Sequence, residues 1–211
     1  WTALATGFDS KAQNALNRLL RTMPDKPVKP PAPAPLSRRW LHVTDASGEH
    51  ALLLFCPFDD EAGGRLLAQL IQGPFYQRLR SELQLGYAVF SAFRQIEGRN
   101  GLMFGVQSPG ADLGEILQHL RDFLARPAPH IDAGRETLAA QFDETAMGNA
   151  DVAEWRWQAH LAGDDNPSLE ALATAILTLG QADIDRLWQQ LASEKNWQVL
   201  ANGPAPQSGW H

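Results

Sequence analysis

Six prolines stand within the short segment from Pro24 to Pro35: Pro24, Pro27, Pro30, Pro31, Pro33 and Pro35. Each fixes its own φ and lacks a backbone N–H, so the segment can neither continue a helix nor take a central place in a sheet. It reads as an extended, semi-rigid linker, and it forces the chain to fold as separate pieces on either side. We divide the chain accordingly: residues 1–23 are the tail of a preceding domain, 24–37 the linker, 38–204 one domain, and 205–211 a mobile tail. In the first piece, Asp9 or Ser10 caps a short helix whose apolar stripe is Leu16, Leu19 and Leu20.

Within 38–204 the apolar pattern alternates between two periods. Trp40–Val43 and Ala51–Phe55 read as two strands joined by a turn around Ala46-Ser47-Gly48-Glu49. The second is continuously apolar, as expected of a strand buried on both faces, and Pro57 ends it. Asp59 or Asp60 caps a helix with Leu66, Leu67, Leu70 and Ile71 on one face, which Gly73-Pro74 interrupts before a new helical piece begins at Pro74. A strand over Tyr87–Phe93 turns back near Gly98–Gly101, where Asn100-Gly101 is a strong hairpin signal. Leu102, Phe104 and Val106 alternate in the return strand. Leu113, Ile116, Leu117, Leu120, Phe123 and Leu124 then mark a strongly amphipathic helix. Helices over Asp132–Met147, around Trp155, over Leu169–Leu177 and over Asp183–Leu191 precede a last strand, Trp197–Ala201. The order β-β-α-β-β-α-α-α-α-β predicts an α+β fold, a mainly antiparallel sheet with helices packed on one face as a two-layer sandwich.

Composition narrows the function. A net charge of −6 gives no basic footprint for nucleic acid. No apolar run approaches the ~20 residues of a membrane span. Cys56 is the only cysteine, so no intrachain disulfide forms; it reads as a buried small hydrophobe, and the lone thiol fits the cytoplasm, with the periplasm left open. The chain opens on Trp1 rather than Met, which we read as a piece of a longer polypeptide. The six histidines, His42, His50, His119, His130, His160 and His211, include no pair three or four apart, so no metal site is expected in this chain.

The stretch from Phe75 to Ser91 carries the candidate chemistry. Leu79 and Leu83 share a helix face, Arg78 and Glu82 can pair on the exposed one, and Gly86 ends the helical pattern. Tyr87, Val89 and Phe93 then lie on one side of a strand. Phe90 lies on the other, and we expect it to point inward; Phe75 and Tyr76 read as core. A helix-to-strand joint presenting a polar aromatic is a plausible place for a site.

The run Leu79–Ser91, with support from Gln107-Ser108, resembles a signature of the pitrilysin/insulinase peptidases, the inverzincins, where it lies in the non-catalytic half of the molecule. Within the family the resemblance is strongest to the peptidases of pyrroloquinoline quinone (PQQ) biosynthesis. It implies that Arg80 and Tyr87 project toward the active site of the other half, where they hold the substrate main chain and stabilise the oxyanion. A guanidinium and a phenol suit that task, being donors toward an oxygen whose charge grows in the transition state. It also implies that the metal, Zn2+, is held in the other half. The family's zinc motif His-x-x-Glu-His is absent here: the one Glu-His pair is Glu49-His50, and Ala46 stands where the first histidine should be. No cofactor is therefore expected in this segment. The partners implied are the catalytic half, in the same chain or a separate subunit, and a small precursor peptide. Two alternatives stay open at this point: an inert scaffold subunit of the same superfamily, and a periplasmic degradative peptidase.

The division of the chain has a direct test. Limited proteolysis should cut first between Pro24 and Pro35 and leave residues from about Arg38 onward folded. A first cut inside 40–200 would count against the boundary.

Overall fold

The computed structural model describes residues 4–5, 7–23, 36–44, 48–96, 98–131, 134–164 and 167–211. The proline segment 24–35 lies outside the described residues, as do Ala46-Ser47 and Asp132. Helix α1 (Ser10–Leu20), capped by Asp9, precedes β1 (Arg39–His42), β2 (His50–Phe58) and α2 (Glu61–Tyr76). A π-helical turn, Gln77–Glu82, continues α2. Then come β3 (Ala88–Ile96), β4 (Arg99–Ser108), α3 (Leu113–Leu124), α4 (Arg135–Ala140), α5 (Asn149–Leu161), α6 (Leu169–Thr178), α7 (Gln181–Ala192) and β5 (Gln198–Ala201). None of the described helices is long and apolar enough to cross a membrane.

The fold is α+β. The five strands form one sheet in the order β1-β5-β2-β4-β3, antiparallel except where β5 runs parallel to β1. The sequence suggested a β1–β2 hairpin; instead β5 lies between the two, aligning Leu41 with Leu200 and Leu200 with Leu53. Nothing local announces this, because the pairing depends on a strand more than a hundred residues away. The β3–β4 hairpin also turns earlier than expected. Ile96 is paired with Arg99 and Gly98 takes φ 74°, so Asn100 and Gly101 sit inside β4. Gly98 suits the left-handed conformation there, and its backbone also lies close against that of Leu161.

Two prolines proved less disruptive than their chemistry suggested. β2 runs through Pro57 to Phe58; β5 pairs with it only as far as Phe55, so Pro57 sits where β2 has a single strand neighbour, a position that tolerates a missing donor. α2 runs through Pro74 because Ile71 and Phe75 carry one buried stripe across it, exposed by 1% and 0%. Further on, the long helix expected over Asp132–Met147 shortens to α4, which ends at Ala140 in a series of turns.

The core lies between the sheet and the helices. Leu52, Leu54, Cys56, Val89, Leu102, Phe104, Val106, Val199 and Ala201 face the helix layer. An aromatic series ties the layers together. Phe104 of β4 meets Phe75 of α2 at 5.2 Å between ring centroids, Phe75 meets Phe123 of α3 at 5.1 Å, and Phe123 meets Trp188 of α7 at 5.9 Å. Each such pair contributes about 0.5–1.5 kcal/mol beyond its burial.

The other side of the sheet is different. β2 alternates rather than being buried throughout: Leu52 and Leu54 are covered while Leu53 is 36% exposed. Leu41, Leu200, Leu53, Gly105 and Phe90 form one cross-strand row over all five strands on this open face. Phe90, expected inside, therefore points outward; its ring lies over Gly105, where a β-carbon would sit 2.2 Å from it. The residues at 205–211 return to β1: Trp210 meets Trp40 edge-on at 5.2 Å, Arg38 stacks on Trp210, and the Trp40 N–H donates to the His211 carbonyl at 3.1 Å.

Gly86 fixes the approach of the helix-to-strand joint to the sheet. A β-carbon there would lie 1.8 Å from the backbone carbonyl oxygen of Gln107, and backbone cannot step aside as a side chain can. Gly86→Ala should therefore lower stability by about 3 kcal/mol, at the upper end of the usual overpacking cost. Chemical denaturation checks this; a loss below about 1 kcal/mol would mean the joint relaxes freely.

Candidate functional site

The two residues singled out from the sequence flank the joint between α2 and β3. Phe75 and Leu79, both fully buried, hold the end of the helical segment against the core. Between these anchors and Leu85 the backbone widens: the Leu83 N–H donates to the Arg78 carbonyl at 3.0 Å, a five-residue π-type step, and Leu85 N–H reaches the Leu79 carbonyl at 3.1 Å. Arg80 lies on this π-helical turn. Such turns are uncommon and tend to re-aim side chains at functional sites. Arg78 pairs with Glu82 at 2.8 Å, as the sequence suggested. Arg80 is half-buried, and among the described residues no hydrogen bond or ion pair engages its guanidinium. Gln84 then takes φ 52°, and Leu85 and Gly86 are buried as the chain drops onto β4.

Tyr87 stands one residue before β3, not within it, and is 63% exposed. Its hydroxyl donates to Glu49 Oε2 at 3.3 Å. Gln107 Nε2 donates to the same oxygen at 2.7 Å. The β-register explains the meeting: Gln107 is paired with Ala51 on one side and Ala88 on the other, so the residues leading into β2 and β3 converge on it. Asn202, just past β5, adds a third tie. Its Oδ1 accepts from the Ala51 N–H at 2.9 Å and its Nδ2 donates to the Glu49 carbonyl at 2.6 Å.

Gln107 and Asn202 of this network line a groove of about 500 Å3 along the open sheet face, together with Leu53, Phe90, Gly105, Leu200 and Val43 among others. It can take apolar side chains of an extended peptide, with hydrogen-bonding groups beside them. The sequence reading singled out Arg80 and Tyr87 but neither Glu49, which accepts from the Tyr87 hydroxyl, nor Asn202, which holds the Glu49 backbone. The signal that would have found them is the strand register, which the sequence does not display. His42 is exposed on β1 and His119 half-buried on α3. Among the described residues no three His, Cys, Asp or Glu side chains gather into a possible metal site.

Desolvation at the strand end, followed by the charge of Glu49 and its hydrogen bond, raises the Tyr87 phenol above its ordinary pKa of 10. Tyr87 thus stays protonated, and able to donate, to higher pH than a free tyrosine. The chain has two tyrosines, Tyr76 and Tyr87, so absorbance titration can follow them. Tyr87→Phe should remove one transition and so identify it, and Glu49→Gln should move that transition to lower pH. An unmoved transition in Glu49→Gln would show that the carboxylate does not hold the phenol.

The family model described as "PQQ synthase PqqF-like, C-terminal lobe domain 4" matches residues 66–157, which include the whole joint. Coenzyme PQQ synthesis protein F of Pseudomonas putida is 50% identical over 214 residues, covering 100% of this chain and 28% of that protein. Among solved structures, a peptidase M16 inactive domain from Pseudomonas fluorescens matches with TM-score 0.68 at 16% identity, covering 95% of this chain and 52% of that one. The periplasmic protease PqqL from Escherichia coli matches with TM-score 0.63, also at 16% identity, covering 94% of this chain and 27% of that one. At such identities the structural likeness speaks to fold alone. The sequence matches go further: the chain is similar to PqqF over its whole length, spans about a quarter of the length of that relative, and matches the PqqF-like family in a domain of its C-terminal lobe.

Proposed function

We propose that the chain forms part of the substrate-enclosing, non-catalytic half of a zinc metalloendopeptidase that trims a small precursor peptide on the route to PQQ. The observation that carries this reading is an arginine with no partner among the described residues on a π-helical turn, followed at the same joint by an exposed tyrosine, beside an apolar sheet face. A half-buried guanidinium left without an anion is costly unless it serves a ligand. The open face then acts as a wall of the peptide chamber, with apolar substrate side chains along the Leu200–Leu53–Phe90 row.

In this reading Arg80 holds a main-chain carbonyl of the bound peptide, and the Tyr87 hydroxyl donates to the scissile carbonyl oxygen as its charge grows. The Tyr87 contact strengthens from ground state to transition state as the scissile carbonyl gains charge, which makes it catalytic, while the Arg80 contact positions the peptide. As the resemblance of Leu79–Ser91 to the non-catalytic half of the family implies, zinc is held in this reading by the other half. That half, in the same polypeptide or a separate subunit, is the partner, and the peptide is the substrate. We place the enzyme in the cytoplasm, a reading supported by the single reduced thiol, Cys56, buried on β2. The inert-scaffold alternative gives no role to Arg80, which has no partner among the described residues, beside an exposed Tyr87.

Tyr87→Phe and Arg80→Ala, made in the full-length peptidase, should separate chemistry from folding. Loss of one oxyanion donor lowers kcat by ~10²–10³, so Tyr87→Phe should fall in that range while the melting temperature stays within a degree or two. Arg80→Ala should also raise KM if its contact already exists in the ground state. Wild-type kcat in both variants would remove the joint from the mechanism.

A further inference from the structure

The site holds an acceptor that the role of Tyr87 leaves unexplained. Glu49 is half-buried and anchored twice, through its carboxylate by Gln107 at 2.7 Å and through its backbone carbonyl by Asn202 at 2.6 Å. Its side-chain contacts are with neutral donors, Gln107 and Tyr87; among the described residues no lysine, arginine or histidine pairs with it. Among the described residues this negative charge has no counter-ion, and it is bonded to Gln107, which lines the largely apolar groove on the open sheet face.

A phenol has one proton. While the Tyr87 hydroxyl donates to Glu49, that proton is not available to a substrate carbonyl. A bare carboxylate beside a developing oxyanion also raises the energy of the transition state, because like charges repel. Both penalties disappear together if a cation on the substrate occupies Glu49. The carboxylate is then neutralised, and the O–H turns about its C–O bond toward the carbonyl, with no covalent bond made or broken. Gln107 keeps the carboxylate in place throughout.

We propose that Glu49 is a specificity-determining residue: it takes a cationic group of the substrate peptide, and this pairing releases the Tyr87 hydroxyl toward the scissile carbonyl. The inference rests on the function proposed for Tyr87. Its ligand is a peptide segment carrying a lysine or arginine side chain, or an α-amine, next to apolar residues. Charge selects the first feature and the Leu53, Phe90 and Leu200 surface the second.

The test uses the full-length peptidase and a peptide that it cleaves, made as a series with one lysine placed at successive positions around the cut and norleucine in its place as the control. Wild-type enzyme should show one position at which lysine raises kcat/KM about tenfold over norleucine, the size of a charge-assisted hydrogen bond. Glu49→Gln should abolish that preference by raising cleavage of the norleucine peptide, and Glu49→Lys should favour glutamate at the same position. No favoured lysine position in the wild type, or a preference that survives Glu49→Gln, overturns the inference. The two readings fail separately. Wild-type kcat in Tyr87→Phe overturns the role of Tyr87 and the coupling with it; an impaired Tyr87→Phe enzyme whose lysine preference survives Glu49→Gln overturns the role of Glu49 alone. Unchanged melting temperatures of the Glu49 variants assign these effects to the site.

Discussion

The packing of Phe75 and Leu79 into the core is the constraint on which the site depends. Both side chains are fully buried four residues apart, and Phe75 stands in the middle of the aromatic series that joins β4 to α3 and α7. With these two anchors fixed, the following backbone cannot drift. The extra residue of the π-helical turn is absorbed between them and Leu85, which turns the chain sharply enough to bring Gly86 onto β4. The orientation of Arg80 and the starting point of Tyr87 are consequences of core packing several ångströms below them. Loosening of the aromatic series would misplace both residues without touching either.

The two faces of the sheet divide stability from recognition. The helix-facing side is closed by large side chains with almost no exposure, such as Leu54 and Phe104. The opposite side is apolar too, yet Leu41, Val43, Leu53, Phe90 and Leu200 all remain substantially exposed. Sheets that face water on one side ordinarily carry polar residues there. An apolar row across five strands is instead a surface that waits for something to cover it. Two glycines shape it: the Phe90 ring lies across Gly105 and the Phe55 ring across Gly101, so the aromatics lie flat along the sheet where side chains at those positions would have propped them up.

Much of this architecture was legible in the sequence, and the misses share a cause. Amphipathic stripes gave α3, α6 and α7, and the acid-capped start gave α2, because these are local signals that packing reinforces. The family signature brought out Arg80 and Tyr87. What failed was whatever depended on distant chain. The pairing of β1 with β5 rather than β2, the outward turn of Phe90, and the meeting of Glu49, Tyr87 and Gln107 all follow from sheet register. The apolar run of β2 was read as buried on both faces because apolarity records what a surface is compatible with, not whether this chain supplies the cover. Pro57 and Pro74 were given their local meaning and then overruled by an unpaired strand flank and by a continuous buried stripe.

The place of β5 in the sheet has a consequence for how the chain is made. β5 separates β1 from β2, and the indole of Trp40 on β1 donates to the carbonyl of Gly203, 163 positions later. During synthesis the β2–β4–β3 portion can assemble before β5 exists, but β1 has no place to dock until Gln198–Ala201 has left the ribosome. For most of that time β2 has an unfilled flank on the side that β5 will occupy, with its backbone donors and acceptors open to any passing strand. The last strand is therefore also the safeguard of the sheet. A nascent chain that stalls before Gln198 is left with a ready template for misassembly, and the sheet is complete only once Gln198–Ala201 has been made.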